Sequence, residues 1–408
     1  MITKTRLRKF ASLIVRQGVN VQPGQEVMIS AGLDQPDFVR MVVEEAYRAG
    51  ARKVSVDWSY QPVERAHYRY AKEKVLGTLD KWQIERWEHQ AEVLPCKIYL
   101  LSDDPDGLRG LNQKKLAAVN QMRASVIKPI RNRMNNRYQW CIAAVPGEAW
   151  AKKLFPGERA STAVNHLWEA ILSTSRVTED PAAAWDEHNR NLQGHCDHLN
   201  ALGLVELHYQ AKNGTDFTVG LNPDVLFAAG GEKTTAGIFF NPNIPTEEVF
   251  TSPMRGKAEG IVYATKPLSY AGSLIENFWI RFHEGKAVGC GAERGKELLD
   301  SLLGMDEGSS YLGEVALVPY SSPIEASGLL FYNTLFDENA ACHLALGHGF
   351  TNLHKNYDAL GEEGAYAAGI NDSIMHVDFM IGCADLSITG KTADGKEVAI
   401  FRNGEFAF

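Results

Sequence analysis

Residues 26–56 read EVMISAGLDQPDFVRMVVEEAYRAGARKVSV. Glu26–Ser30 has the short apolar run of a strand. Pro36 then suits a first helical turn, and Val39, Val42, Val43 and Ala46 recur at helical spacing. Gly50 fits a helix stop, and Lys53–Val56 is a second strand. Outward from this stretch, Lys97–Leu101 (KIYLL) and Trp140–Val145 (WCIAAV) repeat the strand pattern with helical sequence around them. Strands alternating with helices at this spacing predict an α/β N-terminal domain with a largely parallel sheet.

Beyond about residue 180 the pattern changes. Pro181 opens a polar, helix-like stretch to about Asn200, after which strands come closer together. Leu204–Gln210 and Asp216–Leu221 flank Asn213-Gly214; Phe278–His283 and Lys286–Gly289 flank Glu284-Gly285; Lys391–Thr392 and Val398–Phe401 flank Asp394-Gly395. Such dipeptides favour tight hairpins. The expectation is a boundary near residue 182, dividing an α/β domain (1–182) from a β-rich α+β domain (183–408).

Composition narrows the function. The 408 residues are 45% hydrophobic and 23% charged, ordinary for a globular chain and unlike a disordered one. The formal net charge of −8 gives no electrostatic footprint for nucleic acid or an anionic membrane surface. No apolar run approaches the roughly 18–20 residues of a membrane span. Leu7, Phe10, Ala11, Ile14 and Val15 mark an amphipathic first helix, not the core of a signal peptide. Cys96, Cys141, Cys196, Cys290, Cys342 and Cys383 form no CxxC pair and read as thiols of a reducing compartment, so a cytoplasmic protein is expected.

Motifs for nucleotide binding (GxGxxG, GxxxxGK[ST]), serine hydrolysis (GxSxG) and HExxH zinc binding are absent from the sequence. Candidate metal ligands stand instead in four segments of the second domain. In Met375–Met380, a strand places His376 and Asp378 on one face and Val377 and Phe379 on the other. An imidazole beside a carboxylate on an apolar strand suits a metal edge, although such a pair can also be buried for structure. Glu314 heads the apolar run Val315–Val318. Glu338 and His343 stand five apart at the start of an expected helix from about Asn339 to Leu346, a spacing that converges only if Glu338 precedes the first turn. Glu247 and Glu248 are adjacent, so at most one faces a given site. Carboxylates and imidazoles without thiolates suit a catalytic Zn, Co or Mn site. Four acidic groups in one pocket would balance two divalent cations.

At these residues the chain resembles the M29 aminopeptidases, the thermophilic or AmpS-type metalloaminopeptidases. The resemblance runs nearly end to end and is densest in Asn243–Pro253, Thr265–Asn277, Leu312–Pro319, Leu329–Leu346 and His376–Gly382. It implies that Glu248, Glu314, Glu338, His343, His376 and Asp378 hold two divalent metal ions (Zn, Co or Mn), with Glu314 shared between them. Glu248 is chosen over Glu247 because the family's ligand immediately precedes the Val-Phe pair. The resemblance further implies a C-terminal metal-binding catalytic domain, a homodimer, and release of N-terminal residues from peptides with a free N-terminus by a water bridging the metals. Another dinuclear metallohydrolase, a dipeptidase or small-amide amidohydrolase, would share these ligands. One departure stands out: the family's tyrosine seven residues after the histidine is Phe350 here, with His348 the nearest polar neighbour, which leaves a catalytically weakened family member as a further alternative.

Overall fold

In the first half of the chain, strands that bury their side chains on one face pair in parallel. The computed structural model describes residues 2–270 and 272–408; Met1 and Ala271, the latter inside the Thr265–Asn277 segment, lie outside them. Strands β1 (Glu26–Gly32), β2 (Lys53–Ser59), β3 (Cys96–Leu101) and β4 (Trp140–Ala144) lie in the order β4-β3-β1-β2, all parallel, and Asn243–Ile244 adds a fifth strand beside β4. Val27, Ile29 and Ala31 of β1 are buried. Helix Pro36–Arg48 starts with proline in its first turn and buries Phe38, Val39, Met41, Val42 and Ala46. Phe10 and Trp168 pack against Phe38, at ring separations of 5.4 Å and 5.3 Å.

The chain divides into two compact units: Met1–Asp186 with Gly231–Pro245, and Glu187–Gly230 with Thr246–Phe408. The division falls inside the helix Pro181–Leu202.

Two antiparallel sheets build the second unit. The larger contains Leu204–Gln210, Asp216–Leu221, Pro253–Tyr263, Ser273–His283, Lys286–Arg294, Ser387–Thr392 and Glu397–Arg402. The three expected hairpins are all present. At Glu284-Gly285 both residues have positive φ (49° and 78°), the handedness that matches the strand twist. The smaller sheet has the order His376–Met380, His343–Gly347, Leu312–Leu317, Val249–Thr251, Ala228–Ala229.

Its register sorts the side chains. Val315, Leu344 and Phe379 align across three strands and enter the hydrophobic core, as do Leu346 and Val377. On the other face Glu314, Ala345 and Asp378 align, and His376 pairs with Gly347. Gly347 has φ 100°, and a Cβ there would stand 2.2 Å from the Met375 carbonyl oxygen, so only glycine closes this end. Among the described residues, no helix is long and apolar enough to cross a membrane.

Leu344 is fully buried in the second strand of this sheet. Leu344→Ala is expected to cost about 2–5 kcal/mol of stability, read as a lowered urea midpoint. A loss below about 1 kcal/mol would contradict this packing.

Candidate metal centre

Five of the six residues named from the sequence converge on the polar face of the smaller sheet. Ligand atoms of Glu248, Glu314 and His343 lie within 4.8 Å of one another, and so do those of Glu314, His376 and Asp378. Glu314 belongs to both groups. His343 Nε2 is 3.2 Å from Glu248 Oε2, while His376 Nε2 is 3.1 Å from both Glu314 Oε2 and Asp378 Oδ1. Ala345, between Glu314 and Asp378 in the register, carries too little side chain to fill the space.

The local structure around His343 differs from the expected helix. Glu338–Ala340 is a single tight turn and His343–Gly347 is a strand. Leu344 and Leu346 enter the core while His343 and Ala345 face the opposite way, the two-residue period of a strand. Pairing on both edges of this strand outweighs the helical propensity of Leu and Ala. The break at Ala341 lets Glu338 and His343 approach one centre without sharing a helix.

Glu338 stands outside the two close groups. Its Oε1 accepts a hydrogen bond from Asn339 Nδ2 at 3.3 Å. Burial, followed by the charges of Asp378 and Glu248, pushes its carboxyl well above the usual range. Glu247 and Glu248 diverge: Glu248 turns to His343, and Glu247 Oε2 lies 3.9 Å from His188 Nε2. Asp337, next to Glu338, serves the backbone, accepting N–H bonds from Phe331 and Asn333.

Both imidazoles are held with Nε2 facing the carboxylates. His343 Nδ1 faces the Ala341 carbonyl at 3.2 Å, and His376 Nδ1 faces the His348 carbonyl at 2.7 Å. A backbone acceptor fixes the Nδ1–H tautomer and leaves the Nε2 lone pair for a cation. His348 thus meets the centre through its main chain, while its ring faces Asp372 and Tyr366. Phe350 packs its ring 5.2 Å from that of His376 and 5.0 Å from that of Phe250.

The electrostatics fit divalent cations. Glu248, Glu314 and Asp378 are buried, and among the described residues no lysine or arginine pairs with them or with Glu338. Burial pushes the Glu314 carboxyl up to about 7. Burial opposes ionisation of Asp378 too, but His376 prevails and draws that carboxyl down to about 2. Burial likewise disfavours a charged His343, yet its hydrogen bond to Glu248 lifts it to about 10. The protein's own groups neutralise only part of the cluster, and hard oxygen and imidazole donors are the set that Zn, Co or Mn takes.

One residue of the centre had no signal in the sequence. Asn339 is fully buried; its Oδ1 accepts the Glu247 N–H at 2.7 Å, and its Nδ2 donates to the Leu335 carbonyl and to Glu338. It ties the Glu247–Glu248 segment to the Glu338 turn. Asn339→Leu keeps the volume, removes these bonds and strands a buried N–H. Metal affinity is expected to fall about 10–100-fold in competition with a chromophoric chelator. Unchanged affinity would remove Asn339 from the centre.

Comparison with known proteins shows the family. The profile of the family described as thermophilic metalloprotease (M29) matches residues 3–406. Aminopeptidase AmpS of Bacillus subtilis (strain 168) is 42% identical over 99% of this chain and 98% of its own length. The solved structure of wild-type AmpT from Thermus thermophilus superposes with a TM-score of 0.91 at 37% identity, covering 99% of this chain and all of that one. A 2,5-dihydroxypyridine dioxygenase from Pseudomonas putida KT2440 shares the fold alone, at a TM-score of 0.54 and 14% identity over all of this chain and 98% of its own. The match to the family profile over almost the whole length, with relatives at this identity, shows that the chain belongs to the M29 thermophilic metalloproteases.

Proposed function

We propose that this protein is an aminopeptidase that releases N-terminal residues from peptides with a free N-terminus, using two divalent cations held in the second unit. The observation that carries the reading is the pair of three-ligand groups joined through Glu314. Glu248 and His343 would hold one cation, His376 and Asp378 the other, Glu314 would contact both, and Glu338 would complete the set. Such cations would supply Lewis-acid activation of a water and of the scissile carbonyl, and an anchor for the substrate's α-amino group.

The chain's own residues set the rest. The backbone carbonyls of Ala341 and His348 aim the two imidazoles, and Asn339 sets the spacing of the glutamate segments. Phe350 offers a ring where the family resemblance places a phenol, so no hydrogen bond to a developing oxyanion comes from that position. The relatives' names, aminopeptidases AmpS and AmpT, support this substrate class. The metal is Zn, Co or Mn in this reading, the six free cysteines support a cytoplasmic site, and the assembly is a homodimer.

Purified protein loaded with Zn, Co or Mn is expected to cleave leucine p-nitroanilide and to leave its N-acetyl derivative intact. Equal rates on both would favour a general amidohydrolase, and no turnover with any of the three metals would sink the reading. Glu314→Gln is expected to lower metal content from two ions per chain to below one by mass spectrometry; loss of a single ion would refute the shared role.

Phe350→Tyr isolates the missing donor. Removing one oxyanion donor commonly costs about 10²–10³-fold in turnover, so supplying one is expected to raise kcat by at least about tenfold with KM little changed. An unchanged kcat would show that a phenol at position 350 does not assist turnover in this chain.

A further inference from the structure

The parallel sheet of the first unit carries one face that is not a core. Val27, Ile29 and Ala31 of β1 and Ile98 and Leu100 of β3 are buried on one side. The opposite side presents Met28 beside Lys97, and Asp57, Ser30 and Tyr99 in a row across three strands. Strands covered on both faces in a parallel sheet ordinarily read as continuous apolar runs. Here a cavity of about 320 Å³ lies over the polar face, walled by Trp82, Arg86 and Trp87 of the helix Lys81–Val93.

Lys97 is the anomaly within it. The residue is only 5% exposed, and among the described residues its ammonium makes no hydrogen bond or ion pair. Its neighbours are two aromatic faces, Trp87 at 4.6 Å and Tyr138 at 5.1 Å. Among the described residues one carboxylate lines the cavity, Asp57, and Arg86 engages both its oxygens, at 2.7 Å and 2.6 Å. Burial first, and then the charges of Arg131 and Arg86, draw the amine down to about 8. A buried cation without a counter-ion is costly unless something compensates it.

We propose that this cavity binds a small aromatic carboxylate, its ring against Trp82 and Trp87 and its carboxylate on the Lys97 ammonium. The volume sits at the lower end of ligand pockets and suits one ring system. Among the described residues Lys97 is the one lining cation not already held by a carboxylate, since Arg86 is engaged by Asp57, and one available positive charge matches a carboxylate better than a doubly charged phosphate. The excess positive charge disfavours a ligand that also carries an amine. The site lies in the first unit and is independent of the metal centre, so its test does not depend on peptidase activity.

Titration of the full-length protein with indole-3-acetate and phenylacetate, followed by tryptophan fluorescence and saturation-transfer NMR, tests the assignment. Saturable binding is expected, at least tenfold tighter for phenylacetate than for neutral phenylacetamide, a comparison that needs no variant. Lys97→Met is expected to remove the preference for the carboxylate, and Trp82→Ala, at an exposed position, to weaken both probes. Failure of the wild-type protein to bind either carboxylate at millimolar concentration would overturn the proposal, as would equal binding of acid and amide. In that outcome the two rings alone satisfy Lys97.

Discussion

Mutual repulsion among buried acids is the constraint on which the second unit depends. Glu248, Glu314 and Asp378 share a pocket with Glu338 at its border, and among the described residues two imidazoles meet them. Leaving ionised carboxylates unpaired away from water would exceed what a domain's net stability can offset. Burial pushes the Glu314 and Glu338 carboxyls toward the protonated form, which is one answer; divalent cations are the other. A strand paired on both edges and a buried face of Val315, Leu344 and Phe379 keep these groups together.

The sheet register converts that constraint into geometry. Because side chains alternate, the same strands that bury leucine and valine on one side must present Glu314, His343, His376 and Asp378 on the other. Small residues keep the site open: Ala345 stands between two acids, and Gly347 occupies a backbone conformation closed to other residues. Orientation comes from the main chain. Each imidazole meets a carbonyl, so ring direction is inherited from the backbone and survives changes in neighbouring side chains.

Much of this was legible in the sequence, for physical reasons that differ by residue. The His376–Asp378 spacing fixes a shared face as soon as the segment is a strand, and Val377 and Phe379 make it one. The hairpins were legible because Asn-Gly, Glu-Gly and Asp-Gly encode the required φ locally. Asn339–Leu346 is short and rich in alanine and leucine, which predicts a helix around His343; the strand appears only once its two neighbours pair with it. The roles of Asn339 and of the His348 carbonyl were hidden, since neither a buried amide nor a main-chain acceptor leaves a compositional trace. The return of Gly231–Pro245 to the first unit rests on the two-residue strand Asn243–Ile244, too short to carry a periodic signal.

Two cations sharing Glu314 are central to the proposed function. Anomalous diffraction from crystals grown with zinc or manganese, collected at the metal's absorption edge, addresses this directly. Two peaks are expected in the pocket, one between Glu248 and His343 and one between His376 and Asp378, with the Glu314 carboxylate touching both. A single peak, or peaks away from Glu314, would contradict it.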